Sequence, residues 1–332
     1  MQMLTEGRAS ISSIVTHPLD PGDAQIAAAM REAVAPVKGK GFSRGAESRS
    51  RFNAVMASVP PCDGVEVETD LVGGVPGVWV LPSNALPGHA IIHLHGGWFN
   101  FGSASAFVNL VGHIASRAGA RAFIPDYRLA PEHPFPAAVE DALACYRGLR
   151  EQVVERVALS GDSAGGNLAL VLASRIASEP ADSGLVLGGV AVLSPITDLT
   201  LSGDTYRTRA QADPLFTRPQ ALELVRAYLT KEDSTHPNAS PLYGRLAGLP
   251  SVRIHVGDDE VLLSDSLRYV ARAIAVGVDA RADVWMGMPH GFAGGVGKLK
   301  AAEAALDDIG AFLGGVLGTR ADAPPCLDNG HR

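Results

Sequence analysis

A serine, a group of carboxylates and a histidine follow one another along this chain in an order that suits nucleophilic acyl transfer. Ser163 lies in Gly161-Asp162-Ser163-Ala164-Gly165, a G-x-S-x-G pattern that lifts a serine hydroxyl clear of a sheet on a tight strand-to-helix turn. A serine hydroxyl is a poor nucleophile. It needs a general base, usually histidine, which a carboxylate holds in one tautomer. Downstream come Asp258, Asp259, Glu260 and Asp265, all within one stretch, and then Met288-Pro289-His290-Gly291. Of the other histidines, His255 sits inside an apolar run and reads as a sheet residue. His133 lies in a proline-rich loop, and His95 opens a glycine-rich one and is expected to brace it. His290 is therefore the candidate base. The segment His93-Leu94-His95-Gly96-Gly97-Trp98 supplies the remaining part: a glycine-rich loop there can point backbone N–H groups at a developing oxyanion, joined by that of Ala164.

These residues need elements that bring them to one edge. Val157-Ala158-Leu159 before the serine is strand-like, and Gly166 to Ala173 after it reads as a helix. Short apolar runs at 90–94, 122–125, 157–159, 189–193, 252–256 and 282–285 alternate with helical stretches. Such runs mark strands covered on both faces, and the β-α-β-α order predicts a mostly parallel sheet in an α/β fold. The acidic segment and His290 then fall at the carboxyl ends of strands, on the edge where open α/β sheets bind ligands. Alternation in 65–69, a glycine-rich turn and the run 77–81 predict an antiparallel pair. The long interval between Leu193 and Val252 contains a clear helix near Pro219–Tyr228 and reads as a helical cap insertion. The expected organisation is an N-terminal helical cap segment over 1–60, a catalytic domain over 61–320 with a cap insertion around 199–245, and a flexible tail over 321–332.

Composition narrows the partners. The 46% hydrophobic and 19% charged fractions are those of a globular protein, and a net charge of −7 argues against nucleic acid. No apolar run reaches transmembrane length, and the N-terminus lacks the apolar core of a signal peptide. Three widely spaced cysteines form neither a disulfide framework nor a metal-ligand pattern, so a cytoplasmic setting is expected, with neither metal nor cofactor.

Longer motifs carry a family resemblance. Gly161-Asp162-Ser163-Ala164-Gly165-Gly166-Asn167 and Tyr127-Arg128-Leu129-Ala130-Pro131-Glu132-His133-Pro134-Phe135-Pro136 closely resemble the bacterial hormone-sensitive-lipase-like esterases, family IV of the lipolytic enzymes. Ser194-Pro195-Ile196-Thr197-Asp198, Asp259-Glu260-Val261-Leu262-Leu263 and Gly287-Met288-Pro289-His290-Gly291-Phe292 match further signatures, over roughly residues 60 to 316. The resemblance implies an α/β-hydrolase fold with a mostly parallel eight-stranded sheet, and a serine carboxylesterase acting on short- to medium-chain acyl esters without a cofactor. It assigns Ser163 as nucleophile, His290 as base and, by register, Asp259 as the acid, and it points to a homodimer. Asp265 is then expected to support the following helix.

The sequence departs from the family at one position. His95-Gly96-Gly97-Trp98-Phe99 stands where the family has His-Gly-Gly-Gly before an aromatic residue. Trp98 takes the third glycine's place, where its bulk is expected to narrow the pocket. If that position needs a positive φ, tryptophan costs on the order of 1–2 kcal/mol. Trp98, Phe99 and Asp162 are the residues expected beside the substrate. A lactone hydrolase or deacetylase using the same triad is an alternative. A non-catalytic ligand-binding protein, like the plant hormone receptors that resemble this family but lack the histidine, is a second.

Overall fold

The computed structural model describes residues 13–34, 38, 46–178 and 184–319. The tail beyond 320 and much of the first 45 residues lie outside them. Nine strands form one sheet: β1 (Ile14–His17), β2 (Val65–Val72), β3 (Val75–Pro82), β4 (His89–Leu94), β5 (Arg121–Pro125), β6 (Arg156–Asp162), β7 (Val186–Leu193), β8 (Ser251–Gly257) and β9 (Ala280–Trp285). Their order across the sheet is β1-β9-β8-β7-β6-β4-β5-β3-β2. The pairs β2–β3 and β3–β5 are antiparallel and the others are parallel.

The helices are α1 (Pro21–Val34), α2 (Ala46–Ala57), α3 (Ala104–Ala118), α4 (Ala137–Gly148), α5 (Ala164–Ser178), α6 (Thr205–Thr208), α7 (Arg218–Leu229), α8 (Leu263–Ala275) and α9 (Lys300–Leu317). The central strands are apolar on both sides because helices cover both faces. In β4, Ile91 belongs to the buried cluster that holds Phe107 and Ile114 of α3 and Leu313 of α9, while Ile92 belongs to the other, which holds Leu168 and Leu172 of α5. Each such side chain, fully buried, stabilises the fold by about 1.5–3 kcal/mol.

The sheet has one strand more than the expected eight. The addition is β1, which lies in the segment read as cap and pairs in parallel with β9, from Ile14 opposite Ala282 to His17 opposite Trp285. Its four residues alternate between exposed and half-buried, so it lacks the apolar run that marks the interior strands. His17 stacks on Trp285 with ring centroids 3.9 Å apart, and its Nε2 lies 2.9 Å from Asp283 Oδ1. The next helix reaches back across the molecule. Asp23 of α1 accepts the N–H groups of Lys300 and Ala301 at 2.9 and 2.8 Å, satisfying two of the unpaired donors that open α9.

Within 199–245, α7 starts at a capping box between Thr217 and Gln220. Asn167 of α5 donates to the carbonyls of Ile196 and Ala239, both at 2.8 Å, which fastens this segment to the helix behind the serine. Cys145 is a buried free thiol. Among the described residues no helix is long and apolar enough to cross a membrane.

Candidate active site

Ser163 stands between the end of β6 and the start of α5 with φ of 54°, in the left-handed region. That conformation costs an L-residue about 1–2 kcal/mol, so the surroundings must hold it. Its N–H donates to Leu193 at 2.8 Å, and its carbonyl accepts from Asn167 and Ile196 at 3.1 and 3.2 Å. Gly165 lets α5 sit directly on β4, since a Cβ there would lie 1.8 Å from the Leu94 carbonyl oxygen. Ala164 opens α5, so its N–H has no acceptor within the helix and lies at the positive end of the helix dipole.

His290 and Glu260 form a buried histidine–carboxylate pair. His290 Nδ1 lies 2.8 Å from Glu260 Oε2, and the glutamate is fully buried. The other oxygen, Oε1, accepts from Ser194 Oγ and from the Gly257 N–H, both at 2.7 Å. With Nδ1–H donating to the carboxylate, Nε2 keeps its lone pair free to accept a proton. Burial pulls the imidazole down, but the charge and hydrogen bond of Glu260, then Asp213 and Asp162, outweigh it and raise His290 above its ordinary value.

Asp259, the acid assigned by register, does not meet His290. Its carboxylate pairs with the guanidinium of Arg31 on α1, which also donates to the Gly287 carbonyl at 2.7 Å. Asp258 accepts the Gly287 N–H. The turn after β8 thus directs Asp258 and Asp259 towards the 287 loop and α1, and it directs only Glu260 inward. Asp265 accepts the N–H groups of Thr197 and Asp198 at 2.9 and 3.0 Å, so it anchors the segment after β7 from the first turn of α8.

The glycine-rich loop also departs from expectation in part. The Gly96 N–H donates to Asp162 Oδ1 at 2.8 Å, which removes it from the set of free oxyanion donors. The same bond, with His93 Nε2 3.5 Å from that oxygen, makes Asp162 a brace for the loop. Gly97, Trp98 and Phe99 run through φ values of 120°, 54° and 61°. Trp98 therefore occupies the strained conformation that its place in the motif raised. Asn100 and Phe101 close the turn by donating to the Gly97 carbonyl at 3.0 and 2.9 Å. The N–H groups of Gly97 and Trp98 have no acceptor among the described residues. His95 braces the loop as read: Nδ1 lies 2.9 Å from the Gly96 carbonyl, and Tyr127 Oη donates to the His95 carbonyl at 2.7 Å.

Two loop aromatics diverge. Phe99 is 1% exposed and stacks on Tyr228 of α7 at 3.8 Å, so it is core packing and not pocket lining. The Trp98 ring meets Phe216 edge-on at 5.2 Å, and Phe216 meets the His290 ring edge-on at 5.0 Å. The indole Nε1 of Trp98 is buried without a partner among the described residues. Sequence reading did not single out Ser194, Asp213 or Phe216. Ser194 was visible as the start of a motif, but the other two lie in the segment 199–245, where no periodicity marks their direction.

A second cluster brings His255, Asp283 and Asp308 together. Trp285 Nε1 donates to His255 Nδ1 at 3.2 Å, and His255 Nε2 lies 3.2 Å from Asp308 Oδ2. Arg281 binds both carboxylates. The cluster is an ion-pair network joining β9 to α9.

Residues 91–294 match the α/β-hydrolase fold family. The chain is 36% identical over 258 residues to an acetyl-hydrolase of Streptomyces hygroscopicus, covering 77% of this chain and 83% of that one. It is 35% identical over 225 residues to an esterase of Acinetobacter venetianus, covering 67% and 73%. A crystal structure of an esterase from the bacterial hormone-sensitive lipase family superposes with a TM-score of 0.81 at 34% identity, covering 90% of this chain and 99% of that one. The chain belongs to the α/β-hydrolase family, as a carboxylic ester hydrolase of the hormone-sensitive-lipase-like group.

Proposed function

We propose that this enzyme hydrolyses short-chain acyl esters, acetyl esters foremost, through an acyl-enzyme on Ser163. The observation that carries the reading is the His290–Glu260 bond at 2.8 Å, with Glu260 held from its other oxygen by Ser194 and Gly257. Ser163 Oγ attacks the ester carbonyl as His290 Nε2 takes its proton. Glu260 keeps the tautomer and stabilises the imidazolium. The oxyanion is held by the N–H groups of Gly97, Trp98 and Ala164. His290 then protonates the departing alkoxide, the C–O bond breaks, and water repeats the sequence to release the acid.

The preference for a small acyl group is supported by the wall of Trp98 and Phe216 beside His290 and by the burial of Ser163, which is 4% exposed. An acetyl-hydrolase among the relatives gives it further support. The test is a series of p-nitrophenyl esters from acetyl to octanoyl, run beside lactones and N-acetyl compounds. We expect kcat/KM to be highest at acetyl or propionyl and to fall steadily with chain length. A maximum at octanoyl, or faster turnover of a lactone or an amide than of any ester, would overturn this substrate class.

A further inference from the structure

Asp213 belongs to the cap insertion, far in sequence from every part of the proposed triad. It is fully buried. Its Oδ1 accepts the N–H groups of Leu215 and Phe216, each at 2.8 Å, and its Oδ2 accepts the N–H of Val261, also at 2.8 Å. One carboxylate thus fixes the backbone of Phe216, whose ring lies edge-on against the His290 imidazole at 5.0 Å. The same carboxylate fixes the residue directly after Glu260. Lys38 secures this segment from outside by donating to the carbonyls of Ala210 and Asp213.

A buried carboxylate that satisfies three backbone donors could be only a loop staple. Its two oxygens serve two different elements, however, and both elements touch the His290–Glu260 pair. From this geometry, and resting on the triad reading above, we propose that Asp213 is a positioning residue through which the cap seats Phe216 against His290 and locks the Glu260 turn. The carboxylates that bear on His290 are Glu260 from the turn after β8, Asp213 from the cap and Asp162 from the end of β6. Negative charge at Asp213 favours the imidazolium, whereas the Phe216 ring contributes to the burial that disfavours it.

The two residues therefore act on the histidine in opposite directions, and that opposition is the test. In Asp213→Asn the amide oxygen can keep the Leu215 and Phe216 bonds while the amide nitrogen faces the Val261 N–H and breaks that tie. The acid-limb inflection of kcat/KM should move to lower pH than in the wild type, with kcat reduced about 10-fold. In Phe216→Ala, water reaches the imidazole, so the inflection should move to higher pH, again with a lower kcat. Opposite shifts in two variants of wild-type circular dichroism support the proposal, because general loosening would not produce them. An inflection unmoved in either folded variant overturns it. Should Asp213→Asn fail to fold, Phe216→Ala decides alone by the same criterion. Absence of any acid limb in the wild type would instead count against His290 as base, and so against the reading on which this proposal rests.

Discussion

At the scale of single residues, the choice between Asp259 and Glu260 decides the chemistry. Both are carboxylates on one turn, one position apart, but Asp259 is neutralised by Arg31 while Glu260 is buried against His290. Removing the charge from Glu260 should leave the imidazole without its orienting partner. Glu260→Gln is expected to lower kcat by about 10⁴-fold, the loss seen when a triad acid is made neutral with the geometry intact, while Asp259→Asn should stay within about 10-fold. Steady-state kinetics on one acetyl ester compares the two directly. The same pair sets the pH dependence. Histidine must be neutral to accept the serine proton, so activity falls as pH drops through its pKa. Because that pKa is raised, the acid limb should lie above the ordinary 6.5, instead of spanning the 6 to 7 window expected for an unperturbed histidine. A pH–kcat/KM profile measures it. The proposed nucleophile and base, Ser163 and His290, could be read from G-x-S-x-G and the strand-end position, each of which carries a mechanism. The proposed acid, Glu260, could not. Which of three neighbouring carboxylates turns inward depends on side-chain direction within one turn, and no spacing rule encodes that.

At the scale of elements, the glycine-rich loop and the segment 199–245 meet where the Trp98 ring lies edge-on against Phe216. The loop holds Trp98 at φ 54°, a conformation that glycine adopts freely. Trp98→Gly should relieve about 1–2 kcal/mol of backbone strain. The same change removes the ring that meets Phe216. We expect the ratio of octanoyl to acetyl kcat/KM to rise in this variant, as read from the nitrophenyl ester series. A ratio equal to that of the wild type would show that the indole does not limit the acyl group. The loop's glycines and its place after a strand could be read from sequence, as could the departure at Trp98. The separation of Trp98 from Phe99 could not. Two adjacent aromatics look alike in a sequence, and only the positive φ at both sends one to the cap side of His290 and the other into the stack on Tyr228.

At the scale of the whole molecule, the parallel core followed from apolar runs buried on both faces, while β1 escaped notice because an edge strand of four residues has no such run. Stability carries its own pH signature. Burial, with the nearby charge of Asp198, pushes Asp265 up to about 8, against the two backbone N–H bonds it accepts and the charge of Arg268. An acid raised in the folded state binds more protons there than in the unfolded chain. Its contribution to stability is complete below the unfolded value of about 3.9 and is lost as pH rises through 8. Asp265→Asn, which can still accept from Thr197 and Asp198, should flatten the fall in Tm between those limits, as thermal unfolding across that pH range would record. The acyl-enzyme is tested by mass spectrometry of enzyme acid-quenched during turnover of p-nitrophenyl acetate, first as the intact chain and then after digestion. One acetyl group per chain, on the peptide containing Ser163, is expected, with neither adduct nor turnover in Ser163→Ala. An acetyl group on another residue, or undiminished turnover in Ser163→Ala, would contradict it.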